Sequence, residues 1–271
     1  MEYVHKPVFL LTDFGYQDAY VGVMKAVMLG IAPELQIVDL CHSIEPQNVI
    51  SAAYVLRTAV PYLPAGSVVV AVVDPGVGTQ RRIVALEGER YVLLAPDNGI
   101  ATLVLQCDRW VRAVEIAWQR VASTPPSATF HGRDVFAPAA ALLASGKLCL
   151  EQLGKQVELS ALVQLALEPQ VRSDGIEAIV LHRDRFGNIV TNVEAARWGI
   201  APFRGWQCRV QDVTLPIVRT YQDVPSGAPV AYVGSSGYIE IGVNCGSAVE
   251  RFGAEPSILL IPPSKASTSP E

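Results

Sequence analysis

The chain has 271 residues, of which 50% are hydrophobic and 17% are charged, so it can bury a sizeable core and is not typical of a disordered protein. Its net charge is −5 and it has no run of Lys or Arg, which argues against nucleic acid as a partner because such binding depends on neutralising phosphates. The apolar stretches are too short to span a bilayer and the first residues lack a signal-peptide pattern, so the sequence predicts a cytoplasmic protein without a membrane partner.

The first half of the chain alternates strand and helix patterns. Strands are predicted at 7–12, 36–40 and 67–73, helices at 18–33, 48–63 and 135–147, and a hairpin at 82–96. The segment SVVVAVV (67–73) is apolar throughout, which is typical of a strand covered on both faces of a parallel sheet. A glycine C-cap is expected at the end of the helix 135–147.

The pattern changes near residue 160, and from Gly175 onward short strands are separated by Gly, Pro and Asp turns. The predicted fold class is therefore α/β, with an N-terminal α/β domain (1–160) built on a mostly parallel sheet. A smaller antiparallel β domain, a barrel or a sandwich, is expected at 170–262. The boundary is expected within 155–174, and the Pro/Ser-rich tail (263–271) is predicted to be disordered.

The five cysteines are scattered along the chain, odd in number and without a CxxC spacing. This pattern does not indicate a metal site or a disulfide framework. It predicts buried, reduced thiols at Cys41, Cys107, Cys149, Cys208 and Cys245.

Three predicted strands in the first half lead into the same residue type, at Asp13, Asp39 and Asp74. Parallel strands end at one edge of a sheet, where ligands bind, so we expect these carboxylates to contribute to one polar site. Each aspartate alone is also compatible with a plain turn. Asp13 is placed to accept both hydroxyls of a ribose, and Asp18 either caps the following helix or joins the site.

The segment DPGVGTQRR (74–82) carries the strongest chemical signal. Its two glycines permit close approach of a ligand, and Arg81 on the returning chain can keep Asp74 ionised and orient it. The segment FHGRD places His131 before a glycine and near a helix start, which favours a catalytic or orienting role. The glycine patterns match neither a dinucleotide fingerprint nor a P-loop.

Two polar clusters lie in the second half of the chain. Asp184 and Asn188, in DRFGN, could bind the ammonium and carboxylate of an amino acid. Ser235, Ser236, Glu240 and Asn244 surround a second turn, in GSSGYIEIGVN. Turn formation is the alternative interpretation of both clusters.

Taken in order, the segments TDFGYQDAYVGVMK, VVDPGVGTQRR, FHGRDVFAP, DRFGNIVTN and GSSGYIEIGVN resemble the S-adenosyl-L-methionine (SAM) hydroxide adenosyltransferases, which are related to fluorinases and chlorinases. The resemblance spans about residues 7–261. It implies the hydrolysis of SAM to adenosine and L-methionine without a cofactor or a metal. It also implies a homotrimer with active sites at subunit interfaces.

The resemblance also assigns residues. The catalytic Asp-Arg-His set of the family falls on Asp74, Arg81 and His131, and its ribose-binding aspartate on Asp13. Its methionine-binding residues are matched in this chain by Asp184, Asn188 and Ser235. Asp18, Gln47, Glu240 and Asn244 complete the predicted substrate-binding set.

This chain departs from the halogenating relatives at three positions of the resemblance. They carry an aromatic residue in place of Asp74 and an arginine in place of Ser236, and a tryptophan of the fluorinase pocket is matched by Gln47. These differences point to water as the nucleophile. An ionised Asp74 would repel a halide but could orient or deprotonate water, and Arg81 could stabilise the developing hydroxide.

Two other functions fit the residues. One is a metal-dependent hydrolase that uses Asp13, Asp39, His42 and Asp74 as oxygen and nitrogen ligands. Its weakness is the lack of an HxD or DxH pair. The other is a sensor that binds SAM or adenosine without turnover.

Overall fold

The computed structural model describes residues 6–263, so the predicted tail lies outside the described residues from position 264 onward. The chain divides into two compact units between Leu165 and Ala166, and each is described by itself. No helix among the described residues is long and apolar enough to cross a membrane.

The N-terminal unit is built on a seven-stranded sheet with the order β2-β1-β3-β5-β4-β6-β7. Its strands are β1 (Val8–Thr12), β2 (Ile37–Cys41), β3 (Ser67–Val72), β4 (Ile83–Gly88), β5 (Tyr91–Pro96), β6 (Trp110–Ile116) and β7 (Gly154–Val157). Strands β2, β1, β3 and β5 are mutually parallel, and β4, β6 and β7 extend the sheet in antiparallel pairs. The α/β fold class and the hairpin predicted at 82–96 are thus confirmed.

Helices cover both faces of this sheet. They are α1 (Tyr20–Ile31), α2 (Val49–Ala59), α3 (Thr102–Cys107) and α4 (Ala137–Ala144), with a π-helical turn at Gly132–Phe136 that leads into α4. The predicted helices were longer than the observed ones because their ends are 3₁₀, π or turn segments. The predicted glycine C-cap is confirmed, since Gly146 follows the C-cap residue of α4 with a left-handed φ of 70°.

The sequence of strand β3 does not alternate between apolar and polar residues, and the structure gives the reason. All six of its residues are buried. Val68, Val70 and Val72 belong to the core on the α1 and α4 face, whereas Val69 and Ala71 belong to the core on the α2 face. Successive strand residues point to opposite faces, so a strand buried on both faces must be apolar at every position.

The C-terminal unit is a nine-stranded sheet with the order β10-β11-β15-β14-β13-β12-β16-β9-β8. Its strands are β8 (Gln170–Arg172), β9 (Gly175–Ala178), β10 (Val180–Arg183), β11 (Ile189–Glu194), β12 (Gln207–Val210), β13 (Val213–Val218), β14 (Pro229–Val233), β15 (Tyr238–Val243) and β16 (Ile258–Ile261). One short helix, α5 (Ala248–Phe252), precedes β16. Every predicted strand of this half is present, and all pairs are antiparallel except β13 with β14.

The five cysteines are free, but the prediction that they are buried is wrong for four of them. Only Cys208 is buried, and Cys41 is partly exposed. The exposed ones are Cys107, Cys149 and Cys245, which lie at the end of α3, before a 3₁₀ turn and in the turn after β15. The ends of helices and strands face solvent more often than their centres. The residue type alone does not show on which part of an element a cysteine lies.

Candidate active site

The register of the parallel strands brings Asp13 and Asp74 together. Thr12 pairs with Val72, so Asp13 and Asp74 follow neighbouring strands at the same edge of the sheet. Both side chains line one cleft of about 390 Å³, a volume typical of small-molecule sites. The other residues of the cleft are Phe14, Tyr20, Pro46, Gln47, Val72, Pro75, Val77, Thr129, Phe130, His131 and Gly132.

Asp74 and Arg81 form a nearly buried ion pair. The Nε atom of Arg81 donates to both carboxylate oxygens of Asp74, at 3.0 and 2.9 Å, and Nη2 donates to Oδ2. The two side chains are only 9% and 5% exposed. A guanidinium that binds both oxygens of a carboxylate fixes its plane, so the orientation of the Asp74 carboxylate is set by Arg81.

His131 completes this set. Its Nδ1 atom lies 2.9 Å from Nη2 of Arg81. A guanidinium only donates, so Nδ1 is the acceptor and the imidazole is neutral with its proton on Nε2. Burial, together with the charge of Arg81, lowers the pKa of His131, and the carboxylates of Asp74 and Asp134 oppose this only in part. The set therefore holds one neutral imidazole, one cation and one anion.

Gly78 brings the loop of Asp74 against the segment of His131. Its φ is +79°, and a Cβ atom there would overlap the carbonyl oxygen of Ala128. Only glycine allows both the left-handed backbone and this close approach. The base of the loop is fixed by Asn98, whose Nδ2 donates to the carbonyl of Val73 at 2.9 Å.

Arg133 and Asp134 form an ion pair with each other. Nε of Arg133 donates to Oδ1 of Asp134 at 2.6 Å. Asp134 Oδ2 also accepts from the backbone N–H of Ser127 at 2.8 Å, which ties down the segment before His131. Hydrogen bonding from Arg133 lowers the pKa of Asp134. This pair supports the loop of His131 and does not line the cleft.

Asp13 accepts from the backbone N–H of Gln47 at 2.8 Å through its Oδ2 atom. Gln47 adopts a left-handed φ of 67°, which turns its N–H toward the aspartate. No other bond to the Asp13 carboxylate is found in the described chain, so Oδ1 remains available to a ligand hydroxyl. Asp18, in contrast, is exposed, does not line the cleft, and does not cap α1, whose N-cap is Ala19.

Three aromatic residues that the sequence analysis did not single out form one wall of the cleft. Phe14, Tyr20 and Phe130 contact each other edge to face, with ring centroids 5.2 to 6.0 Å apart. Gly132 makes room for them, because a Cβ there would lie 3.2 Å from Phe14 and Phe130. The available signal was their position beside Asp13 and His131 in the two motifs.

The expectation that Asp39 lies at the same edge is wrong. Asp39 is inside β2, level with Leu10 of β1, and so falls three residues short of Asp13. It binds Lys25 at 2.7 Å and lies 3.0 Å from Nε2 of the buried His42. These bonds, with one from Tyr16, lower the pKa of Asp39 against the effect of its burial.

The Nδ1 atom of His42 also forms a hydrogen bond with the hydroxyl of Thr12 at 2.7 Å. His42 is not among the described residues that line the cleft. Over residues 6–263, no three or more His, Cys, Asp or Glu side chains are grouped so that they could hold a metal ion. The ligand set of the metal-dependent alternative, Asp13, Asp39, His42 and Asp74, is therefore not assembled.

In the C-terminal unit, Asp184 organises the turn between β10 and β11. Its Oδ1 accepts from the backbone N–H groups of Phe186 and Asn188 at 2.9 and 2.8 Å, and its Oδ2 accepts from Nδ2 of Asn188 at 2.8 Å. Gly187 closes the turn with a φ of +82°. These residues form a turn, and the turn presents Asn188 to a neighbouring cavity.

That cavity has a volume of about 490 Å³. Its lining residues are Phe186, Asn188, Tyr221, Val243, Cys245 and Gly246. Asn188 is buried, and its Oδ1 atom, unlike its Nδ2, bonds to nothing in the described chain. The cavity thus combines aromatic and apolar walls with one open acceptor, as is common for small-molecule sites.

The remaining predicted residues of this unit lie outside the cavity lining. Ser235 and Ser236 are exposed in the turn between β14 and β15. Glu240 is partly buried and accepts from Tyr232 at 2.9 Å. Nδ2 of Asn244 donates to the backbone carbonyl of Val224 at 2.8 Å, and this bond holds the loop at Val224 in place.

Both units of the chain match models of one protein family. Residues 8–154 match the SAM hydroxide adenosyltransferase N-terminal domain, and residues 178–258 match the C-terminal domain of the same family. A Thermus thermophilus protein named (R)-S-adenosyl-L-methionine hydrolase is 47% identical over 92% of this chain and 96% of its own. A fluorinase of Actinopolyspora mzabensis is 31% identical, over 89% and 91%.

Solved structures share the fold. An uncharacterized conserved protein from Thermotoga maritima superposes with a TM-score of 0.84 at 32% identity, over 94% of this chain and 99% of that one. A conserved hypothetical protein from Thermus thermophilus gives a TM-score of 0.78 at 44% identity, over 94% and 100%. These likenesses extend over both units.

Proposed function

The chain belongs to the SAM hydroxide adenosyltransferase family, and we propose that it hydrolyses SAM to adenosine and L-methionine by attack of water on C5′. The observation that carries the proposal is the hydrogen-bonded set of Asp74, Arg81 and His131 in the cleft. Such a set can hold and activate one small nucleophile.

The hydrolysis of SAM requires water alone as the second reactant and no oxidant or reductant. The water oxygen forms a bond to C5′ while the bond from C5′ to the sulfonium sulfur breaks, and its electron pair neutralises the sulfur. One water proton is released. The positive sulfur already activates the carbon, so the protein must align the nucleophile and accept its proton.

In this scheme Asp74 orients the water and withdraws its proton as the bond to carbon forms. Arg81 fixes the Asp74 carboxylate and stabilises the developing hydroxide, while neutral His131 accepts from Nη2, the guanidinium nitrogen that also donates to Asp74. A positioned base contributes roughly 10²–10⁴-fold to rate, because water is a weak nucleophile until it begins to lose its proton.

The same set disfavours halide as the nucleophile. A carboxylate beside the attack position repels an anion, and the neighbouring guanidinium offsets only part of that repulsion because it is already bound to both carboxylate oxygens. Water, in contrast, can donate to the Asp74 carboxylate. Asp74 is therefore the residue that we expect to select water.

Asp13 is proposed to bind the ribose hydroxyls. One of its carboxylate oxygens is held by Gln47 and the other is available in the cleft. The wall formed by Phe14, Tyr20 and Phe130 offers an apolar surface to the rest of the nucleoside.

Asp184, Asn188 and Ser235 are proposed to bind the methionine part of the substrate, through the second domain. The resemblance of DRFGN and GSSGYIEIGVN to the family motifs supports this assignment. The open acceptor on Asn188 is consistent with it.

A homotrimer with active sites at subunit interfaces, in the cytoplasm, completes the proposal and rests on the family resemblance. Light scattering on a sizing column tests the assembly. A monomer that is fully active would contradict the subunit-interface arrangement.

The function is tested by incubating the purified protein with SAM and separating the products by chromatography. We expect equal amounts of adenosine and methionine, unchanged by EDTA. Activity that vanished with EDTA and returned with a divalent ion would support a metal-dependent hydrolase instead. Tight binding without any adenosine over long incubation would identify a sensor.

A further inference from the structure

The side chains of Tyr221, Tyr232 and Glu240 form one hydrogen-bonded chain inside the C-terminal unit. The hydroxyls of Tyr221 and Tyr232 are 2.5 Å apart, and Tyr232 donates to Oε2 of Glu240 at 2.9 Å. Because the Tyr232 hydroxyl donates a hydrogen bond to the Glu240 carboxylate, the Tyr232 oxygen is the acceptor in the bond with the Tyr221 hydroxyl. The chain therefore runs in one direction, from the cavity wall at Tyr221 to the carboxylate of Glu240.

Two glycines make room for this chain. A Cβ atom at Gly242 would lie 2.7 Å from the Tyr221 ring and 2.8 Å from Oδ1 of Asn188. A Cβ atom at Gly234 would overlap the carboxylate of Glu240. The backbone of β15 thus leaves space at Gly242 for two cavity residues to approach, and the turn before β15 leaves space at Gly234 for Glu240.

The backbone of Tyr221 is held independently of its ring. Tyr221 begins a 3₁₀ turn whose residue Asp223 accepts from the backbone N–H groups of Arg219 and Thr220, at 3.1 and 3.0 Å. Within the described chain, Tyr232 is the hydrogen-bond partner found for the Tyr221 hydroxyl. The position of the ring in the cavity therefore depends on that bond and on ring packing at a centroid distance of 4.9 Å.

We propose that Glu240 is a positioning residue for the substrate, which acts through Tyr232 to fix Tyr221 as a wall of the cavity. The proposal rests on the proposed function, since it takes that cavity to receive part of SAM. It reassigns Glu240, which the sequence suggested as a direct ligand. Burial raises the pKa of Tyr232, which is consistent with a neutral phenol that donates throughout the neutral range.

The test compares Glu240→Leu, Glu240→Gln and Tyr232→Phe by steady-state kinetics with SAM. Loss of one such bond is expected to raise KM roughly tenfold, with kcat within about twofold, because the bond acts on binding and not on the reacting atoms. Glu240→Gln should retain most of the affinity, since its amide oxygen still accepts from Tyr232.

A double variant, Glu240→Leu with Tyr232→Phe, separates positioning from a general structural role. If Glu240 acts through Tyr232, the double variant will be no worse than either single one. Thr191→Val is the matched control, because it removes another buried hydroxyl that bonds to β15, at Ile239, away from the cavity lining. We expect it to lower thermal stability without changing KM.

The proposal would be overturned if KM rose in the double variant by a factor equal to the product of the two factors measured for the single variants. It would also be overturned by Glu240→Gln behaving like Glu240→Leu, or by Thr191→Val raising KM as much as Tyr232→Phe. Should the unmodified protein yield no adenosine, the proposed function fails. The same comparison is then made with calorimetric Kd values for SAM, so that the positioning role is judged separately.

Discussion

Nη2 of Arg81 donates to Nδ1 of His131 at 2.9 Å, and Nη2 and Nε together hold the carboxylate of Asp74. Arg81 and His131 are 50 positions apart in the chain, and the guanidinium joins the loop of Asp74 to the segment of His131. Since Arg81 cannot accept a hydrogen bond, the arrangement exists only with a neutral imidazole. The protonation state of His131 therefore decides whether the proposed catalytic set is assembled.

This relationship predicts a pH dependence. Protonation of His131 would place a second cation beside Arg81 and turn its acceptor nitrogen into a donor. We therefore expect kcat/KM for SAM to fall as the pH drops through the pKa of His131, which lies below its ordinary value of 6.5. More than half of the maximal activity should therefore remain at pH 6.5, with the midpoint of the decline below that pH, as measured by a pH–rate profile.

His131→Asn provides the control, since its amide oxygen can accept from Arg81 without titrating. We expect it to lower the maximal rate and to remove this acidic limb. A limb centred above 6.5, or one that persists unchanged in His131→Asn, would show that another group governs the acidic side.

Asp74→Ala should reduce kcat by at least about 10²-fold and leave the Kd for SAM largely intact, because a base acts on the chemical step more than on binding. Stopped-flow or calorimetric binding beside steady-state kinetics measures both quantities. Glu89→Ala, which removes an exposed carboxylate paired with Arg109, is the matched control and should change neither. Equal losses in binding and kcat would make Asp74 a binding residue.

Gly78→Ala tests the contact that holds the loop of Asp74 against the segment of His131. The new methyl group would overlap the carbonyl of Ala128, so the loop of Asp74 must shift, and we expect kcat/KM to fall at least about tenfold. Gly66→Ala is the control in the same unit, with a similar φ of +85° but open space around the new Cβ.

Gly66→Ala should therefore incur only the left-handed backbone strain of about 1–2 kcal/mol and keep its activity. Thermal melts and kinetics of the two variants separate strain from displacement. Equal activity of both would show that the approach of Gly78 to Ala128 does not position Asp74.

Asp13→Asn should raise the KM for SAM roughly tenfold with a smaller effect on kcat, because it weakens a charge-assisted bond to a ribose hydroxyl. The sharper readout is an analogue of SAM that lacks that hydroxyl. With that analogue as substrate, the wild-type protein and Asp13→Asn should have similar KM values. A variant that is equally impaired on SAM and on the 2′-deoxy and 3′-deoxy analogues would argue against ribose recognition by Asp13.

The sequence predicted those parts of the site that follow from strand ends and short motifs. Asp13 and Asp74 follow neighbouring parallel strands, so the edge that they share could be inferred. Asp39 was misplaced because its strand continues to Cys41, and two residues of strand length are beyond the precision of a hydrophobic pattern.

Side-chain partners could not be inferred in the same way. Glu240 and Asn244 looked like ligands because they are polar residues near a turn, but they bond to Tyr232 and to the backbone of Val224. The aromatic wall of Phe14, Tyr20 and Phe130 depends on contacts between residues far apart in the chain. Such pairings are set by tertiary packing, which local spacing does not encode.

The most direct test of the central claim is hydrolysis of SAM in water enriched in oxygen-18, with both products examined by mass spectrometry. Attack of water on C5′ places the label in the 5′-hydroxyl of adenosine and leaves methionine unlabelled. We predict that result, in the presence of chloride or fluoride as well, with no 5′-halogenated adenosine. Adenosine without the label, or a halogenated product, would contradict water as the nucleophile selected by Asp74.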